Sequence, residues 1–137
     1  MASLLRGCPI PQLAEEDREM LNLPITLVEL KEALEGAAQH KSPGPDGLPV
    51  EVYSQYGEVI LQPLLEALFE AEEKGTLPDS MQEAIIILLS KPGKDKLSRD
   101  SYRPISLLNM DVKLLAKILA KRLSQVIDRG GKISRQT

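Results

Sequence analysis

The sequence predicts an α+β fold, mostly helical, with one two-stranded β-hairpin and a long C-terminal helix. Apolar residues recur at helical spacing in three stretches of the chain. One run, EAIIILLS at residues 83–90, is rich in β-branched residues and lacks that period. A second extended run, YRPISLL at 102–108, follows it across a charged, turn-rich loop, which is the pattern of a hairpin. At 137 residues, with 42% hydrophobic and 27% charged content, the chain suffices for one domain with a core.

Residues 1–24 read as an extended, proline-punctuated lead-in with a short acidic helical patch at AEEDREML. The main domain is expected over 25–137. Its first helix is marked by the capping box of Thr26 and Glu29, with Ile25 and Leu30 at the staple positions. Leu27, Leu30, Leu34, Ala37 and Ala38 form its apolar stripe, and it must stop before Pro43. After the KSPGPDG loop at 41–47, Pro49 suits a first helical position, and VEVYSQY supplies about two turns before Gly57 interrupts. A longer helix then turns Ile60, Leu61, Leu64, Leu65, Leu68 and Phe69 inward and ends at Lys74-Gly75. Pro63 is expected near its start or at a kink.

The strand at 83–90 leads into KPGKDKLSRDS, read as a long, mobile hairpin tip. Pro104 marks the second strand as an edge or bulged one. The last helix runs from about 110 to 128, with Val112, Leu115, Leu119, Leu123 and Val126 on one face. Lys113, Lys117 and Lys121 form a stripe on another face, and Gly130-Gly131 is the expected stop.

Composition narrows the function. The longest apolar run, 84–89, has six residues and cannot span a membrane; the N-terminal residues lack a signal-like apolar core, so an intracellular location, nucleus or cytoplasm, is expected. A single cysteine permits no internal disulfide, and Cys8 reads as a bystander. One His and one Cys make no zinc site, and neither G-x-x-x-x-G-K-[ST] nor G-x-G-x-x-G occurs; no metal and no cofactor are expected. Aromatics are 3% of residues, with no Trp, so stacking platforms for single strands are not offered. The net charge of −3 conceals a division: residues 1–80 hold 5 basic against 15 acidic side chains, and residues 81–137 hold 12 against 5. Such a basic half fits a polyanionic partner, or the two halves neutralise each other.

Within the basic half, Lys91, Lys94, Lys96, Arg99 and Arg103 fall on the loop between the two strands. Arg offers phosphate a planar fork and Lys a point charge. The same charges would also guard a hairpin against edge aggregation. Lys91 and Arg103 flank the strands and are held most firmly.

The segments ITLVELKEAL, KSPGPDGLPVEVY, GTLP, AIIILLSKPGKD and SYRPISLLNMDVKLLAKILAKRL occur in that order. As a set they resemble the N-terminal fingers region of non-LTR (LINE-type, L1-like) retrotransposon reverse transcriptases, over about residues 9–137. The resemblance implies a fingers-like fold and a loop lying near the RNA template, formed by Lys41, Ser42, Gly44, Asp46 and Gly47. Pro43 and Pro45 stiffen that loop, the glycines permit close backbone approach, and Asp46 is expected to cap the next helix. By the same resemblance Lys91 and Arg103 would hold the nucleotide triphosphate and template backbone. Lys94, Lys113, Lys117 and Arg122 would be auxiliary basic residues. Ser90 departs from the family, which usually has Pro there, and GGKISRQT matches it only loosely.

In that family the palm motifs with three metal-binding aspartates follow the fingers. No F-x-x-D or Y-A-D-D stretch occurs in these 137 residues. Two-metal nucleotidyl transfer requires such carboxylates. The expectation is therefore a partial reverse-transcriptase domain over 25–137, fingers only with the palm absent, inert by itself but able to bind RNA or an RNA/DNA hybrid. Self-association through the surface a palm would cover is expected as well. The rival reading is a domesticated protein–protein interaction module with no nucleic-acid role.

Overall fold

A computed structural model describes residues 12–135, with side chains over 12–129. The elements are α1 (Glu15–Asn22), α2 (Leu27–Glu35), α3 (Val50–Lys74), β1 (Ala84–Ser90), β2 (Tyr102–Leu108) and α4 (Met110–Arg135). Short 3-10 turns lie at Asp79–Met81 and Arg99–Ser101. The fold is thus mostly helical with a two-stranded antiparallel sheet and a long final helix. The described residues divide into two compact units, one from Pro24 to Lys121, the other uniting those before Pro24 with those from Arg122 onward.

In the larger unit, α2 begins as its capping box requires. The Glu29 amide donates to Thr26 Oγ1 at 3.3 Å, and the Thr26 amide donates to Glu29 Oε1 at 3.2 Å. The helix ends at Glu35 with Gly36 as its cap, so Ala37 and Ala38 lie beyond it rather than on its stripe. In α3 the break expected at Gly57 falls one residue earlier, at Tyr56, whose φ of −113° and ψ of 22° leave the helical region. Pro63 sits on the exposed side of the second stretch, away from that break. Gly75 closes α3 in the left-handed conformation at φ 73°, its amide donating to the Ala71 carbonyl at 2.9 Å.

The core joins Leu30 and Leu34 of α2 with Val50, Tyr53, Leu61, Leu64, Leu65 and Leu68 of α3; Met81 and Met110, Leu114 and Ile118 of α4 complete it. Phe69, expected inward, is 39% exposed. The α4 face differs from expectation too. Met110, Leu114 and Ile118 are buried, whereas Leu119 and Leu123 are 48% and 51% exposed. The sequence contains two apolar stripes on this helix, and only the position of the packing partners decides between them. The helix also runs through Gly130-Gly131 to Arg135. Glycine costs helix about 1 kcal/mol per residue but does not forbid it.

β1 and β2 pair antiparallel from Ala84↔Leu108 to Ser90↔Tyr102. The Lys91 amide donates to the Ser101 carbonyl at 2.7 Å, continuing the ladder by one position. Hydrogen-bonded pairs alternate along such a ladder, so Ile85, Ile87 and Leu89 bond toward β2, and Pro104 falls at a position whose missing N–H would point outward. The tip, expected to be mobile, is a series of bonded turns. Asp95 Oδ1 accepts from the Leu97 amide at 3.0 Å, and the Tyr102 hydroxyl donates to the Lys96 carbonyl at 2.7 Å. Every residue of β1 is exposed, including Ile86 at 68% and Leu88 at 63%.

The KSPGPDG loop docks where β2 meets α4. Gly44 is buried, and a Cβ built on it would lie 2.4 Å from the Leu108 carbonyl carbon and 2.5 Å from the Asn109 nitrogen. Only glycine allows that approach. The turn that follows is closed by the Gly47 amide donating to the Gly44 carbonyl at 3.0 Å, with Gly47 at φ 72°. Asn109, 2% exposed, accepts from the Asp46 amide at 2.9 Å through Oδ1 and donates to the Ser80 carbonyl at 2.8 Å through Nδ2. Asp46 does not cap α3: its Oδ1 accepts from the Leu48 amide at 2.9 Å, while Pro49 holds the N-cap position without a side-chain bond.

Two predictions arise from this junction. Asn109→Ala removes the buried carboxamide that holds both the Asp46 amide and the Ser80 carbonyl, and Gly44→Ala drives a methyl into fixed backbone. Each is expected to lower unfolding free energy by about 2–3 kcal/mol in urea denaturation. Gly47→Ala, in open space but at positive φ, should cost about 1 kcal/mol. The second concerns Tyr53, whose phenol is pushed up to about 12 by burial, then by the nearby Asp111 and Asp46 carboxylates. A raised folded-state pKa means stability is fully present below pH 10 and is lost as pH rises toward 12. Chemical denaturation across that window should show the loss in the native chain and its absence in Tyr53→Phe.

Candidate nucleic-acid interface

Basic side chains that the sequence spreads over 41–117 come together in part. A cavity of about 380 Å³ opens between the loop and α4, lined by Lys41, Ser42, Pro43, Lys113 and Lys117, with Val50, Leu108 and Met110 among its apolar walls. The docking of Gly44 on Leu108 builds this groove, because it fixes Lys41 and Ser42 opposite the first turns of α4. Lys113 and Lys117 lie one helical turn apart and therefore share a face. Three lysines thus line the groove beside apolar walls.

The lysines are not equivalent. Lys117 Nζ approaches the Ala33 carbonyl at 3.5 Å, near the C-terminal end of α2, where a cation is favoured by the helix dipole. Lys121 is committed elsewhere: it pairs with Glu32 of α2 at 2.8 Å, and that bond raises its ammonium above the usual lysine range. Here the two oppositely charged halves of the chain do meet. Lys41, Lys94, Lys96, Arg99, Arg103 and Lys113 form no ion pair among the described residues.

Arg122 is a correction. It is 8% exposed, and its Nη1 donates to the Leu23 carbonyl at 2.5 Å and the Leu21 carbonyl at 3.4 Å, at the end of α1. A guanidinium spent on helix-end carbonyls stabilises the smaller unit and is not presented to a phosphate. Arg129 adds an ion pair to Asp17 at 3.2 Å in that unit. Cys8 lies outside the described residues.

Lys91 and Arg103 form a separate patch. Leu89 opposes Arg103 and Lys91 opposes Ser101, so Lys91 and Arg103 are diagonal neighbours on one face of the hairpin. The Lys91 ammonium donates to the Asp100 carbonyl at 2.7 Å, which holds its stem across the hairpin end. Arg103 is exposed, and its guanidinium makes no hydrogen bond among the described residues. Leu108 lies five positions after Arg103, so this patch and the loop groove lie roughly 17 Å apart along β2. The expected site residues therefore fall into two clusters at opposite ends of one strand. Lys94 belongs to the hairpin tip, its amide donating to the Lys91 carbonyl at 3.4 Å.

Sequence reasoning passed over Asn109 and Ser80, which orient both the loop and the start of α4. The signal was present as the N of YRPISLLN, a polar residue directly after an apolar strand and directly before a helix. Among the described residues no group of three metal-ligating side chains is found, and no helix is long and apolar enough to cross a membrane.

No protein-family model matches the chain. Curated relatives are found nonetheless. A transposon TX1 uncharacterized 149 kDa protein from Xenopus laevis is 39% identical over 118 residues, 86% of this chain and 9% of that protein. A probable RNA-directed DNA polymerase from transposon BS of Drosophila melanogaster is 34% identical over 112 residues, 76% of the chain and 12% of the relative. The RNA-directed DNA polymerase from mobile element jockey of Drosophila funebris is 34% identical over 73% of the chain and 11% of its own length. Matching about a tenth of the length of these relatives, the chain belongs, as one segment, to the non-LTR (LINE-type) retrotransposon family of RNA-directed DNA polymerases.

Proposed function

We propose that this segment is the fingers-like part of a LINE-type reverse transcriptase and that it grips the backbone of RNA or an RNA/DNA hybrid. In this reading the segment supplies contacts to nucleic acid and performs no nucleotidyl transfer by itself, a reaction that needs metal-binding carboxylates. The observation that supports the binding reading best is the groove that gathers Lys41, Lys113 and Lys117 beside the glycine-docked loop. Lys91 and Arg103 at the far end of β2 supply a second contact, and Lys94 lies in the same tip. A nucleic-acid backbone laid along the hairpin would meet both clusters, with Arg103 offering the bidentate phosphate contact. The names of the relatives, which include RNA-directed DNA polymerases, agree with an RNA-facing surface.

Fluorescence anisotropy with a labelled RNA and a labelled RNA/DNA duplex, at about 50 and 200 mM salt, tests this reading. Binding is expected to weaken steeply with salt. Lys41→Ala with Lys113→Ala, and separately Lys91→Ala with Arg103→Ala, should each weaken it about tenfold and flatten the salt slope by one to two phosphate contacts. Arg122→Ala should instead lower stability while leaving the salt slope unchanged. Absence of binding at the lower salt would overturn the reading in favour of a protein-binding module.

A further inference from the structure

The two edges of the hairpin are treated differently. The outer edge of β2 is blocked in its middle by Pro104, which has no N–H to offer, and at its end by Gly44 packed on Leu108. Among the described residues the outer edge of β1 has no such guard. Ala84, Ile86, Leu88 and Ser90 direct their backbone groups away from β2, and no described residue bonds to them. The strand AIIILLS carries no charge and no proline, the features by which edges are usually protected.

We propose that β1 pairs with β1 of a second copy of this chain about a two-fold axis through Ile87, giving a four-stranded antiparallel sheet in the order β2-β1-β1-β2. Its register is set by complementarity. With Ile87 on the axis, Ala84 faces Ser90 and Ile86 faces Leu88 of the other copy. All four outward-bonding residues thereby become hydrogen-bonded pairs, and no like charges meet. Just beyond the strand, the exposed Glu83 of each copy falls opposite Lys91 of the other. Moving the axis one residue either way sets Glu83 against Leu89 or Gly93 and loses both charge pairs. The exposed apolar side chains of β1 gain cross-strand neighbours on both faces. This contact needs no nucleic acid, so it stands apart from the RNA-binding reading.

Sedimentation velocity of the full chain without nucleic acid should show a dimer at about 10–100 µM. Glu83→Lys should weaken it about tenfold, since two cross-strand charge pairs become repulsive. Adding Lys91→Glu should restore it. Register is read by crosslinking in a Cys8→Ser background. Ile87→Cys sets two sulfurs across a non-hydrogen-bonded pair with Cα atoms about 4.5 Å apart, and it should oxidise to a covalent dimer. Ile86→Cys, which faces Leu88 of the other copy, should not. A monomer throughout that range would overturn the proposal and leave the edge to a different partner. Equal crosslinking at 86 and 87, or no rescue by the double reversal, would overturn it as well.

Discussion

The contact between a glycine and a peptide bond organises this molecule. Gly44 lies so close to the Leu108–Asn109 backbone that no side chain can stand between them. Asn109 fastens the same junction, its side-chain oxygen accepting from the loop and its NH2 donating to the Ser80 turn. The loop, the turn before β1, the end of β2 and the start of α4 are all referred to this one residue pair. Because the hairpin is exposed along all of β1, its orientation depends more on this clasp than on burial. The basic groove exists for the same reason.

Much of the architecture could be read in the residues because local chemistry and tertiary need agree there. Thr26 and Glu29 cap α2, Gly75 ends α3, and β2 occupies the residues YRPISLL. The readings that failed are those where local sequence leaves two answers open. On α4 the stripe through Met110, Leu114 and Ile118 is buried while Leu119 and Leu123 face water, a choice made by α2 and α3 and not by periodicity. Gly130-Gly131 resembled a stop, yet glycine without a cap partner only weakens a helix. Asp46 looked like a helix cap but turns back on Leu48, since Pro49 intervenes.

The site divides along the same line. Residue type and position marked Lys91 and Arg103 as candidates, because basic residues at strand ends are presented outward, and the family resemblance added Lys41 and Lys113. They did not reveal that Lys41 and Lys113 share a groove while Lys91 and Arg103 lie at the other end of β2, which depends on a docking contact 64 residues apart in the chain, from Gly44 to Leu108. Arg122 belonged to the same basic segment, yet it sits among helix-end carbonyls. Charge is visible in composition; whether a charge is already spent is visible only in three dimensions. The charge division of the chain illustrates this, with Lys121 neutralised by Glu32 and Lys113 left open.

The clasp makes an unusual demand on one amide. Asp46 is exposed and lies in a loop, so its N–H would ordinarily exchange with solvent rapidly, but it donates to the buried Asn109 Oδ1 at 2.9 Å. Native-state hydrogen exchange resolved at that amide tests the account most directly. Protection comparable to that of the α3 core amides, lost in Asn109→Ala, is the predicted result. Exchange at Asp46 as fast as at the exposed hairpin tip would contradict it.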